Sequence, residues 1–227
     1  LVVYSGAERQ ITVRRIDRLL YICTGQRPLM GYNIDTPERV QPIDVGRPFT
    51  PKTIEVLHDR LWCGNILIPY DGVWNLTQTR WYTNRVSWST IIPASGYTPT
   101  TTGAVDIDPL RNFNDIVETG GEISALATLG SFLAVFFEYG VHYGRLTQIP
   151  GDTLPLAFDA INTSKRGVLQ PGAVDSGKNG LFFVSTDTVY FLGENLQVQS
   201  ISDQVDELLF RSPSGDANPE DPYDNDY

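Results

Sequence analysis

The stretch with the clearest chemical spacing is Gly172-Ala173-Val174-Asp175-Ser176-Gly177-Lys178-Asn179. Two glycines and a lysine stand as in a phosphate-binding loop, whose backbone N–H groups cradle phosphates while a Ser or Thr after the lysine ligates magnesium. Asn179 occupies the place of that hydroxyl. The next residues, Gly180-Leu181-Phe182-Phe183-Val184, read as a strand and not as the helix whose N-terminal amides would face the phosphates. The segment is therefore expected to be a hairpin turn, with Lys178 binding no nucleotide.

Other candidates fall for comparable reasons. The two histidines, His58 and His142, each sit in an expected strand with no second His or Cys at metal-ligand spacing. Asp106, Asp108, Asn112, Asn114 and Asp115 make an oxygen-rich loop. A calcium loop would need Gly at its sixth place and Glu at its twelfth, and these hold Arg111 and Val117. No Gly-x-Ser-x-Gly elbow supports a hydrolase serine. Paired carboxylates for glycoside hydrolysis would have to come from separate repeats. Trp62, Trp74, Trp81 and Trp88, with the tyrosines, could form a sugar-stacking surface, but their alternation with polar residues fits packing between sheets better. Cys23 and Cys63 lie in apolar runs and read as buried, reduced thiols. Asn75-Leu76-Thr77 and Asn162-Thr163-Ser164 match the glycosylation pattern without a secretion signal beside them. No catalytic, cofactor-binding or metal-ligating residue is assigned, and the chain is read as a non-enzyme without cofactor.

The elements that would carry such residues are strands. The 227 residues have a net charge of −10, which disfavours a basic nucleic-acid-binding face. No apolar run is long enough for a membrane span. The chain starts at Leu1 without a charged-then-apolar leader and is read as a portion of a longer polypeptide. Four stretches share one pattern: Ile11 to Thr24, Ile54 to Leu67, Ile123 to Tyr143 and Val168 to Leu192. Each is an apolar β-run, a tight polar turn and a second β-run opening on Leu with large apolar partners. The turns are Asp17-Arg18, Asp59-Arg60, Gly130-Ser131 and Lys178-Asn179-Gly180, all rich in residues that tolerate left-handed backbone. With Leu20, Leu61, Leu133 and Leu181 taken as equivalent, the shorter spacings are those of four-stranded propeller blades, and the long middle one carries an inserted loop.

The expected fold is all-β, a β-propeller-like repeat of short antiparallel blades over residues 1–211, with one short C-terminal helix at Ser202 to Phe210. Pro93 to Gly121 reads as a long surface loop. Residues 212–227 read as an acidic tail, disordered or ordered by a partner.

Several short elements point further: Arg85-Val86-Ser87-Trp88-Ser89, a loop ending Gly120-Gly121-Glu122-Ile123, Phe132 to Val141, Gly180-Leu181-Phe182-Phe183-Val184-Ser185-Thr186-Asp187-Thr188-Val189-Tyr190-Phe191, and Val198 to Val205 with its Ile201-Ser202-Asp203. Together these cover about Arg85 to Phe210. They resemble the β-propeller region of bacteriophage tail hub or nozzle ("tail tubular") proteins and related tail or neck connector proteins. The resemblance implies a virion structural protein, assembled in the bacterial host cytoplasm. It implies self-association in a ring, six-fold, contact with portal, adaptor and other tail proteins, and genome DNA passing through at host entry without sequence-specific binding. That family has no catalytic residues to carry over, and this chain is shorter than its usual members. The rival expectation is a β-propeller binding module for host-surface sugar or protein.

Overall fold

Each described sheet starts as a hairpin, and in the last three two residues close it. β1 (Thr12–Ile16) and β2 (Leu19–Cys23) end on the pair Ile16↔Leu19, and β3 (Met30–Asn33) and β4 (Gln41–Pro42) complete the first sheet. β5 (Thr50–Leu57) and β6 (Arg60–Pro69) close at Leu57↔Arg60, followed by β7 (Thr79–Trp88) and β8 (Phe113–Asp115). β9 (Ile123–Leu129) and β10 (Phe132–Phe137) close at Leu129↔Phe132, followed by β11 (Gly140–Leu146) and β12 (Leu156–Ile161). β13 (Val174–Gly177) and β14 (Gly180–Val184) close at Gly177↔Gly180, followed by β15 (Val189–Gly193) and β16 (Val198–Ser200). The computed structural model describes residues 11–16, 19–34, 41–42, 49–69, 79–89, 107–117, 121–147, 156–163 and 165–201. The helix expected at 202–210, the tail 212–227, Trp74 and most of the stretch 93–121 lie outside them.

Four antiparallel sheets, each of four strands consecutive in sequence, make a four-bladed β-propeller. The supposed phosphate loop is the β13–β14 hairpin. The second turn is His58-Asp59 and not Asp59-Arg60: both residues have positive φ, 52° and 55°, as a type I′ hairpin requires. His58 is therefore a turn residue, contrary to the strand expected for it.

Leu20, Leu61, Leu133 and Leu181 hold one register position, the second residue of each second strand, opposite Arg15, Val56, Thr128 and Ser176. Leu61, Leu133 and Leu181 are 0%, 0% and 1% exposed, each plugged against the preceding blade. The next residue along points the other way, toward the following blade, and Tyr21, Trp62 and Ala134 are fully buried there. This alternation, period two along each strand, builds three cores. Tyr21 and Cys23 meet Ile54, Leu61 and Cys63 between the first and second blades. Trp62 and Trp88, with ring centroids 5.6 Å apart, meet Leu133, Val135 and Phe137 between the second and third. Ala134 and Phe136 meet Leu181, Phe183 and Leu192 between the third and fourth. Gly64 sits where a Cβ would stand 3.0 Å from Ile123 of the third blade, so a larger residue there would push on the Ile123 and Leu126 side chains.

The long interval between Leu61 and Leu133 is taken up by the extended β6–β7 pair and the connection to β8. Part of the expected surface loop is thus structural. Ile107 is fully buried in the first core, and Phe113–Asp115 is the outer strand of the second blade. Arg85 anchors this return. Its guanidinium lies between the rings of Tyr82 and Phe113, 3.7 and 3.6 Å from their centroids. It donates two 2.7 Å hydrogen bonds to Asp115 and one of 3.0 Å to the Pro109 carbonyl.

Candidate functional site

The four inner strands carry their side chains toward one another around a shared cavity of about 610 Å³. Its lining includes Thr12 and Arg14 of β1, Thr53 and Glu55 of β5, Leu126 and Thr128 of β9, and Asp175 and Ser176 of β13. A propeller necessarily offers such a place, because the innermost strand of each blade has no further strand to cover it.

Most of the polar groups here tie blades together. Arg14 grips Glu55 with both Nε and Nη2, at 2.8 and 2.9 Å, linking the first blade to the second. Glu55 also accepts the Val56 N–H at 2.9 Å. Thr53 Oγ1 accepts the Leu126 N–H at 3.2 Å, and Thr128 donates to the Val56 carbonyl at 3.1 Å, linking the second blade to the third. Asp175 accepts the Ser176 N–H at 2.8 Å within its own strand. Sequence reasoning misses the pair Arg14–Glu55; no motif marks two residues that meet only because adjacent blades stand side by side.

The sequence-selected residues scatter. His58 Nε2 lies 3.0 Å from the Ser131 carbonyl at a hairpin end. His142 is buried in β11 against the Phe137 ring, centroids 5.2 Å apart. Asp108 accepts the Leu110 N–H at 2.9 Å within its turn, and Asp115 serves Arg85. Cys23 and Cys63 are both buried in the first core, and burial pushes the Cys23 thiol up to about 12 while Cys63 is raised well above its ordinary value. Of the tryptophans described, Trp62 and Trp88 are core, whereas Trp81 is 51% exposed.

The elements behind the family resemblance are fastenings. Ser89 Oγ accepts the Leu61 N–H and Ser89 N–H donates to the Leu61 carbonyl, both at 2.9 Å, carrying the β6–β7 ladder one step past its last pair. Asp187 accepts from Arg166 at 2.6 Å and from Tyr190 Oη at 3.0 Å, which locks the β14–β15 turn.

A second surface is defined by what the first and last blades leave uncovered. Phe182 has the register of Tyr21, Trp62 and Ala134 but is 40% exposed, with Val184 and Phe191 beside it. On the first blade Leu20 and Ile22 are only half-buried and Val13 is exposed. Arg15 stands on that face opposite Leu20, and Asp175 stands opposite Phe182 on the other.

No family model and no curated protein matches the chain. Solved structures do. YCF48 from Cyanidioschyzon merolae aligns over 91% of this chain and 62% of its own, at 10% identity and a TM-score of 0.46. The extracellular domain of a putative one component system from B. thetaiotaomicron aligns over 88% and 29%, at 13% identity and 0.36. The Myceliophteria_thermophila Cps50 (Swd1) beta-propeller domain aligns over 84% and 72%, at 8% identity and 0.39. The chain thus spans less than two thirds of the first two, and at such identities these likenesses carry no statement about activity, ligand or partner. Among the described residues no helix is long and apolar enough to cross a membrane.

Proposed function

We propose that this chain works by assembly: a structural subunit of a bacteriophage virion, a propeller-type tail hub, nozzle or neck component forming part of the genome-delivery conduit. The observation that supports it most is the pair of uncovered apolar faces. Positions that are buried at three junctions are half-exposed on the outward faces of the first and fourth blades. Contiguous apolar patches of this kind mark association surfaces. The two faces are different surfaces, so association through them pairs the first blade of one copy with the fourth blade of the next. Head-to-tail pairing of two different faces is heterologous and closes into a ring when the rotation allows.

The fastening role of Ser89 and Asp187 suits a family that does no chemistry, and the net charge of −10 suits a lumen that repels passing phosphates. The deciding experiment is a mass measurement of the purified chain and of the native particle. A closed oligomer that dissociates in Phe182→Asp or Leu20→Asp, with the monomer still folded, is the expected result. A chain that stays monomeric at every concentration and is missing from particles sinks the reading.

A further inference from the structure

We infer that the second blade carries a carbohydrate-binding site, built on Trp81 and floored by the top of the third blade, for a neutral or amino-bearing sugar. It is independent of the assembly proposal.

The site begins with a change of parity. Ile66 and Ile68 point into the core shared with the first blade, so Leu67 between them points to the third-blade side, and Trp81, paired with Leu67, shares that side. Lower on the same ribbon Trp62 and Trp88 occupy this side and are buried by the third blade. The third blade's inner strand starts only at Ile123, level with Asn65, where the β6–β7 register shifts. Above that level the ribbon overhangs. Leu67 is half-exposed and Trp81 shows 51% of its surface.

An exposed tryptophan alone needs no explanation. This one is held. Its indole N–H donates to Asn65 Oδ1, and Asn65 is itself buried, at φ 55° in the left-handed region. The Asn65 amide in turn donates to the Ile123 carbonyl at 2.9 Å and to Glu122 Oε2 at 3.1 Å. Lys52 Nζ lies 3.5 Å from the same Glu122 oxygen. The Glu138 side chain lies on Gly121, where a Cβ would stand 2.3 Å from its Oε2 and where φ is +97°. A residue in a sparsely populated backbone region that fixes the orientation of a half-exposed ring stiffens a surface and buries little; such strain is characteristic of binding sites.

The chemistry of the step selects the ligand. A rigid indole face takes the C–H face of a pyranose ring, and the hydroxyls at the ring edge then need acceptors and donors beside the wall. Glu122 is tied to the foot of that wall through Asn65 and carries Lys52, with Glu138 against the adjoining Gly121. Two carboxylates against one ammonium favour a neutral or amino-bearing sugar and oppose a carboxylated one.

The test is calorimetric titration of the full chain with maltotriose, N-acetylchitotriose, a glucosamine trimer, sialyllactose and a proline-rich peptide. Binding of at least one neutral or amino sugar is expected, weakened at least about tenfold by Trp81→Ala and less by Trp81→Phe. Asn65→Gly, which keeps the left-handed backbone but frees the indole, should also weaken it. Thermal melts of the variants separate loss of site from loss of fold, and Trp81→Phe remains the usable variant if Trp81→Ala destabilises. No sugar binding at millimolar concentration, equal binding by Trp81→Ala, preference for sialyllactose, or binding of the peptide alone each overturns the inference. A chain that forms rings but binds no sugar refutes only this site; one that binds sugar as a monomer refutes only the assembly.

Discussion

Between the second and third blades, Trp62 and Leu133 are sealed from solvent; on the outward faces of the first and fourth blades, Phe182 and Leu20 hold the corresponding register positions and are not. Large apolar residues hold the same strand positions in both places, so the difference comes from the neighbour and not from the local sequence. A repeat protein writes the same apolar pattern into every unit and relies on stacking to cover it. Where the stack ends, the pattern is left facing solvent.

The largest test of that contrast is at the sealed junction. Leu133→Ala should cost about 2 to 5 kcal/mol, read from denaturant unfolding, because it leaves a cavity among Trp62, Val135 and Phe137. A cost under about 1 kcal/mol would mean that the junction is not packed as described.

Next comes the first junction, whose core holds both thiols. The folded state keeps them protonated, whereas the unfolded chain releases protons from about pH 8.5. Their contribution is whole below that pH and drains as pH rises toward about 12 for Cys23, by about 1.4 kcal/mol per pH unit and thiol. A thiol reagent at neutral pH should find neither cysteine until denaturant is added. Rapid labelling of the native chain would show that this junction opens.

Leu20→Ala should cost well under the Leu133 value in dilute solution, about 1 kcal/mol or less for a half-exposed leucine. The comparison sharpens if that cost grows with protein concentration, which would mean that another copy covers the face. Smallest of all is Asp187→Asn. Burial pushes this carboxyl up, but hydrogen bonds from Arg166 and Tyr190 outweigh it and leave it below the usual range. The pair with Arg166 is exposed to solvent, so at pH 7 the melting temperature of Asp187→Asn should barely differ from that of the parent chain.

The second strands and the Gly130-Ser131 turn were legible because each strand is a buried apolar run after a short polar break, as at Leu133 and Leu181; the second turn falls one residue earlier than expected, since His58 in a left-handed turn carries no local signal. Outer strands such as Met30–Asn33 and Leu156–Ile161 were not, since they are short and half-wet and their pattern is set by pairing with an inner neighbour. Phe113–Asp115 was hidden inside a loop-like stretch because what anchors it is Arg85, almost thirty residues earlier in the chain. The Trp81 site is half-legible: the ring stands out in the sequence, but the bulge at Asn65 that turns it outward depends on where the third blade begins. Arg14 and Glu55 meet only across blades, and no local spacing encodes that.

Among the described residues each sheet is made of four strands consecutive in sequence. Mechanically this makes the molecule a row of separate fuses. Pulled from its two ends, it should give way one blade at a time, each rupture releasing up to about 3.3 to 3.6 Å of slack per residue. The second blade, running from Thr50 to Asp115, is roughly twice as long as the others and should appear as the one outsized step in the force trace.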